Sequence, residues 1–556
     1  MTFIRIFLTV CGWTGISRLS GVVREMILAN VFGAGMFMDI YSFAIKFPNF
    51  FRRFFAEGAL NAVLVPKFSN MISRDTKENV QKFANEMYST LVIWLLIFVV
   101  VFEFAMPLVV RVVAPGLQPF IRTNVTYYAR LVFPYILLIS LVAYMSCILN
   151  SLRHFAWAAA ISIIANVSVI SALVIGKGMA TSQSAVMHVL CLGVVLGGVA
   201  QCATLWINCR KHGVVLRFAW PKLTPEIQTL MKAAIPGMIG AGVIQINVFL
   251  DMAFASSLPV GAVSYLGYAD RLNQLPLSLF GAALGTTLLP ALSRLWESGR
   301  GVEAQETQNR ALVFALMLAI PAAVGLFILA RPIVLLLYGH GMFDDSAVEH
   351  TTRALKAFVF GLPSYVMMKI FATIFFANRD TRTPVIIAAV CVLVNGVLNA
   401  VLIREFAHVG IATATAIAAG VNATGCAWML HRRKMLALRK EHVAQIGKIF
   451  LASAIMGGTV FVAWEKAQEN SECTKATHTA DGTTRDIPDI MRSEADTTQA
   501  SNAEPTHQTT KMQQQVNVPT DQKRTPSRLR KAITIAIIVA AGIATYTGCM
   551  YLLKGF

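Results

Sequence analysis

The stretch YSTLVIWLLIFVVVFEFAMPLVVRVV, residues 88–113, decides what kind of molecule this is. Apart from Glu103 and Arg111 it carries no charge, and it exceeds the about 20 apolar residues that a helix needs to cross a bilayer. The rest of the chain is of the same character. Of 556 residues, 56% are hydrophobic and only 14% charged, with a mean hydropathy of +0.61. A soluble protein carries about 25% charged residues, and no soluble core could absorb so much apolar surface. This excludes a soluble enzyme, a disordered chain and a secreted disulfide scaffold. A polytopic membrane protein remains.

Outward from that stretch, apolar runs divided by polar punctuation predict further helices near 3–32, 38–68, 127–149, 157–177 and 185–208. A second group falls near 225–255, 262–293, 310–330, 354–376, 384–404 and 409–430, and two more near 446–464 and 532–553. The reading is all-α, with about 14 transmembrane helices using roughly 300 residues. The period-two alternation of a transmembrane barrel is absent. No cleavable leader is apparent, so the first helix is expected to serve for insertion itself.

The formal charge of +19 belongs to a membrane protein rather than to a nucleic-acid binder. Lys and Arg crowd alternate loops, such as Lys67 to Lys82, Arg210 to Lys222 and Arg432 to Lys440. The intervening loops are poor in them, beginning with Gly33-Ala34-Gly35. The bias places both termini in the cytoplasm, with membrane lipids as partners. Eight of the nine Cys lie in or beside apolar runs and none forms a CxxC pair, which reads as buried small side chains.

From Glu465 to Arg528 there is no Leu, Phe, Tyr or Trp. Such a stretch cannot bury enough surface to offset ordering, and reads as disordered. A weak repeat relates residues 59–69 to 283–293 at an offset of 224, which also aligns Tyr41 with Tyr265. The offset spans six helices, so the halves share orientation as parallel repeats. The expected organisation is a six-helix lobe at 1–215, a second at 216–435, helix 13 at 436–464, a polar insertion at 465–530 and helix 14 at 531–556.

Ionisable residues inside apolar helices are the functional signal, because each costs roughly 2.5–3.5 kcal/mol at a helix centre. The first helix carries Arg18, Arg24 and Glu25; the second Asp39, Lys46, Arg52, Arg53 and Glu57; the seventh Asp251; the eighth Asp270 and Arg271. They must face water or one another. Arginines outnumber acids, which suits an anionic substrate, and a guanidinium fork suits phosphate. Arg24, Arg52 and Arg271 read as the functional group; Lys46 reads better as a structural partner. For Arg53, about 100° round the helix from Arg52, structure and function weigh evenly. Asp251 is open to two readings: a cation site with oxygens from Asn395, Asn399 and Thr415, fitting Na⁺ by charge count, or plain interhelical hydrogen bonding. No HExxH and no GxxxxGK[ST] loop is present, so the expectation is a transporter, not an enzyme.

The stretch Ser17-Arg18-Leu19-Ser20-Gly21-Val22-Val23-Arg24-Glu25, with Phe32-Gly33-Ala34-Gly35 and Asp39, resembles the start of the MurJ (MviN) family of bacterial lipid II flippases. So do Phe47-Pro48-Asn49, Arg52-Arg53, Phe55-Ala56-Glu57-Gly58-Ala59, Tyr268-Ala269-Asp270-Arg271-Leu272 and the run from Ala377 to Val385. The resemblance implies a multidrug/oligosaccharidyl-lipid/polysaccharide exporter fold in the bacterial inner membrane, with two lobes and a C-terminal helix pair grooved for a polyprenyl tail. It implies transfer of lipid II between leaflets by alternating access. Arg24, Arg52 and Arg271 would hold the diphosphate, while Arg18, Asp39, Glu57 and Ser264 would shape cavity and gate. Asp251, Asn395, Asn399, Ile411 (through its carbonyl) and Thr415 fall where some relatives bind sodium. Some relatives carry acids at Gln274 and Asn399, so here Asp251 is the one charge of that site. The rival readings are an exporter of drugs or of another polyprenyl-linked sugar, a membrane enzyme acting on polyprenyl phosphates, and a scaffold for cell-wall synthesis proteins.

Overall fold

The computed structural model describes residues 3–52, 59–152, 154–179, 182–220, 224–482 and 525–553. Among them there is helix and connecting chain, and no strand. The first lobe holds α1 (Phe3–Phe32), α2 (Met36–Arg52), α3 (Ala59–Arg74), α4 (Lys77–Val113), α5 (Pro119–Val132), α6 (Tyr135–Ser151), α7 (Phe155–Met179) and α8 (Gln183–Lys211). The second holds α9 (Pro225–Ala255), α10 (Ala262–Glu297), α11 (Gly301–Ile328), α12 (Ala330–Leu337), α13 (Asp345–Phe360), α14 (Leu362–Ala377) and α15 (Arg382–Arg432). The helices α16 (Lys440–Gly482) and α17 (Thr525–Leu552) complete the chain.

Local chemistry sets the boundaries. Thr76, Ser182 and Asp344 cap α4, α8 and α13 by accepting from the amides of Asn79, Ala185 and Ala347. Pro134 separates α5 from α6. Gly33, at φ +62°, lets α1 turn into α2. The outward faces are hydrocarbon: on α4, Phe104 is 81% and Leu108 64% exposed, as lipid-facing residues must be.

Among the described residues, eight helical segments are long and apolar enough to cross a membrane, and the pair α13–α14, bent by 41°, makes a ninth. Of the helix expected at 38–68, the described parts are α2 and α3, and 53–58 lie outside the described residues. The two helices expected at 384–404 and 409–430 are the two arms of α15, which is broken at Ala407 by non-helical angles (φ 48°, ψ −128°). In the expected insertion, helix continues along α16 to Gly482 and resumes at Thr525; residues 483–524 lie outside the described set. Composition argued against order there, but lengthening an existing helix needs no new nucleus, so polar residues can follow an apolar span.

Packing partners repeat between the halves. In the first, α1 packs on α7, α2 on α5, α3 on α6 and α6 on α8; in the second, α9 packs on α15, α10 on both α13 and α14, and α14 on α15. The helices α16 and α17 pack on each other and on α11. The seven cysteines whose side chains are described are free thiols.

Candidate functional site

A cavity of about 580 Å³ lies between the lobes. On one wall α1 presents Arg24 and Glu25, and α2 presents Lys46, Asn49 and Arg52. On the other, α9 presents Asp251 and α10 presents Asp270 and Arg271, with Tyr365 of α14 and Thr415 of α15 beside them. Phe50 of α2 stands edge-on against Phe249 of α9, ring centres 4.3 Å apart, and bridges the two walls. Three arginines from two lobes therefore share one chamber, as the sign and placement of those charges required.

Glu25 ties the walls together. Its Oε1 accepts from Arg24 Nη2 at 2.6 Å and lies 3.5 Å from Arg271 Nε. The other arm of the Arg24 fork donates to Asn166 Oδ1 of α7 at 2.9 Å. Asn166 in turn donates to Ser17 O and Ser20 Oγ. Arg24 is thus held in one pose by its neighbours, while the Arg271 side chain keeps 57% of its surface open. The arrangement offers a braced guanidinium on one lobe and an accessible one on the other, and both can donate charge-assisted hydrogen bonds to an anion.

At one end of the chamber the lobes are sealed by buried hydrogen bonds. Asp39 of α2 accepts from the amides of Gly261 (2.6 Å) and Ser264 (2.8 Å) and from the Ser264 hydroxyl, all at the start of α10. A carboxylate there also meets the positive end of the helix dipole. Tyr268 donates to Gly33 O, the Met342 amide to Asn30 O, and the Gly116 amide to Ser256 Oγ. The closeness depends on glycine. A Cβ on Gly33 would come within 2.2 Å of Met342 O, and one on Gly341 within 2.4 Å of Asn30 O. At the far end, the described ion pair between lobes is Lys67 with Glu226 at 3.5 Å, both partly exposed.

Asp251 sits in a nest of neutral groups. Asn395 and Asn399, both fully buried, donate to its Oδ1 at 2.7 and 2.8 Å, and the Thr415 hydroxyl lies 3.3 Å from Oδ2 and 2.9 Å from Ile411 O. The Oδ1 atoms of both asparagines are buried without a donor. Here the amide NH2 groups face the carboxylate; with both amides turned over, their oxygens would join the carboxylate, the hydroxyl and the carbonyl in a hard-oxygen set of the kind that suits an alkali cation.

The expected site residues separate into groups. Arg24, Arg52, Asp270, Arg271, Asp251, Ile411 and Thr415 line the chamber, with Asn395 and Asn399 bound to Asp251. Asp39 and Ser264 belong to the seal and do not line the chamber. Arg18 is exposed on α1 and is not in the chamber wall, because it lies nearly two helical turns before Arg24. Arg53 and Glu57 lie outside the described residues. Sequence reasoning set Lys46 aside as structural, yet it lines the chamber; Asn166 and Asn273 also went unremarked, since neutral amides carry no charge to betray them.

Residues 28–474 match the family described as Lipid II flippase MurJ. The chain belongs to the MurJ family. A MurJ of Rhizobium tropici, named there as a probable lipid II flippase, is 38% identical over 465 residues, 83% of this chain and 87% of that one. A solved structure of a lipid II flippase MurJ in an inward closed conformation shares 27% identity with a TM-score of 0.70, covering 82% of this chain and 92% of that one. An inward-facing multidrug transporter of the MATE family, at 14% identity and a TM-score of 0.64, covers 75% of this chain and 94% of that one, and shares the fold. The MurJ match runs from the end of α1 through both lobes and most of α16. This MurJ-family chain is accordingly a multi-pass, all-α membrane transporter and not an enzyme.

Proposed function

We propose that this chain carries lipid II from the inner to the outer leaflet of the bacterial inner membrane by alternating access. The observation that carries the reading is the shared chamber, in which Arg24 and Arg52 of one lobe face Arg271 of the other. Lipid II joins a large polar head to a long apolar tail through a diphosphate. The three guanidiniums hold that diphosphate in a wet pocket while the tail stays in lipid, and rocking of the lobes exposes the pocket to each side in turn. Asp39 and Ser264 latch the gate. The latch is at the end of the chamber served by the loop Gly33-Ala34-Gly35, which has no basic residue. With both termini in the cytoplasm, that end faces outward, so the conformation described is sealed on the outward side.

Asp251, Asn395, Asn399, Thr415 and the Ile411 carbonyl would hold Na⁺, which supplies the positive charge that the nest lacks and lets an ion gradient bias the lobes. Cell-wall synthesis proteins are candidate partners for delivering and consuming the lipid. The deciding experiment reconstitutes the purified chain in liposomes with labelled lipid II and follows leaflet exchange. Arg24→Ala and Arg52→Ala should each slow exchange by at least tenfold; exchange at the normal rate in both variants overturns the assignment of the site.

A further inference from the structure

The segment joining the two lobes is not slack. Residues 214–220 run extended along the first half of α4 and are hydrogen-bonded to it by side chains at four-residue spacing. Gln81 accepts from the Val215 amide at 2.9 Å and donates to Val215 O at 2.6 Å. Asn85 accepts from the Arg217 amide and Ser89 from the Ala219 amide, each at 2.9 Å. The spacing is a geometric match: four helical residues rise about 6 Å, and two extended residues about 6.6 Å. Gln81 also donates to Asn85 Oδ1, so the rungs brace one another.

The same device occurs in the second lobe. Gln305 and Asn309 of α11 donate to Lys434 O and Ala437 O, with Gln308 donating to Met435 O between them, in the segment that leads from α15 to α16. Gln81 and Gln305, and Asn85 and Asn309, are separated by 224 positions, the offset of the repeat at residues 59–69 and 283–293. The third rung is lost, because the counterpart of Ser89 is Val313. Two rungs have thus persisted at equivalent places on two helices whose other surface residues differ, such as Lys82 against Glu306.

We infer that Gln81 and Asn85 are positioning residues for transport: together with Ser89 they strap residues 215–219 of the inter-lobe segment to the first lobe, so that this stretch stays with α4 while the second lobe rocks. The second strap holds α16 to its own lobe and does not lie between the moving parts. This rests on the alternating-access reading, and one of its tests does not.

The test uses the full chain in liposomes. In Gln81→Ala/Asn85→Ala, deuterium uptake by residues 213–220 should accelerate at least tenfold, lipid II exchange between leaflets should fall at least fivefold, and lipid II binding should stay within twofold. Gln305→Ala/Asn309→Ala should leave leaflet exchange within twofold. Asn85→Asp keeps the acceptor for the Arg217 amide and for Gln81 Nε2 and should retain slow uptake and more than half of the transport, which guards against a double alanine variant that fails to fold. Unchanged uptake in the first variant, or equal loss of transport in both alanine pairs, overturns the proposal. A wild-type chain with protected amides and no lipid II exchange would instead sink the transport reading and leave the strap standing.

Discussion

A guanidinium inside the hydrocarbon layer keeps its charge at any pH a cell meets, so its surroundings must adapt to it. Arg24 shows the adaptation: one arm of its fork goes to Asn166 and the other to Glu25. The presence of such residues was legible in the sequence, because an Arg in an apolar run is conspicuous. Their partners were not, since an amide such as Asn166 looks the same whether it braces an arginine or merely packs. Glycine is the second residue-scale device. Gly33 combines a left-handed φ with an approach to Met342 O that admits no side chain. Gly33→Ala should lower stability by about 2 kcal/mol, combining backbone strain with displacement of the facing carbonyl. Gly447→Ala, where a Cβ meets nothing within 4 Å, should be neutral or stabilise by up to about 1 kcal/mol. Thermal unfolding of the two purified variants in detergent checks the contrast; equal melting temperatures would refute it.

At the scale of elements, the start of α15 shows how a helix end is fixed at a membrane face. Asp380 accepts from the amides of Arg382 and Thr383 and from the Thr383 hydroxyl, and pairs with Arg433 from the far end of the same helical hairpin at 2.5 Å. Partial burial works against its ionisation, but the Thr383 hydroxyl and amide and the Arg433 guanidinium outweigh it and hold the carboxyl at about 2. Because the folded value lies below the ordinary 3.8, the stabilisation is complete above about pH 4 and is lost as pH falls toward 2. Asp380→Asn should be less stable at pH 7 by about 1 kcal/mol and should lack the part of the wild-type decline between pH 4 and 2 that this group contributes. Melting temperatures of both proteins across that range provide the measurement, and parallel curves would count against the cap. Hydropathy located nearly every element, since apolar runs are what the bilayer selects. It could not give the backbone angles of the turn at Ala407 between two expected spans, which composition does not encode. It also misjudged residues 465–482, whose helicity is inherited from the span before them.

For the molecule as a whole, the seal is the part that must open if the lobes rock. Asn30 and Met342 meet across it through a main-chain hydrogen bond of 3.1 Å. In Asn30→Cys/Met342→Cys, an oxidised crosslink should abolish leaflet exchange of lipid II, and reductant should restore it; transport that continues through the crosslinked state would exclude opening at this end. The two-lobe plan was visible as a repeat at residues 59–69 and 283–293, and the structure extends the same offset to Gln81 and Gln305. What the sequence could not supply was which charges meet, because Asp39 and Arg24 are equally acceptable in principle as chamber or gate until the helices are placed.

Glu25 has one more consequence. Its single carboxylate, buried and shared by an arginine on each lobe, occupies the seat that an incoming anion would take under the proposed function. A visitor bearing one negative charge gains little by evicting it, whereas a pyrophosphate brings more charge and more oxygens to the same forks. Under the proposed transport, departure of that visitor would let the carboxylate pair again with Arg24 and Arg271, so those two cations would not be left to hold what has just been released.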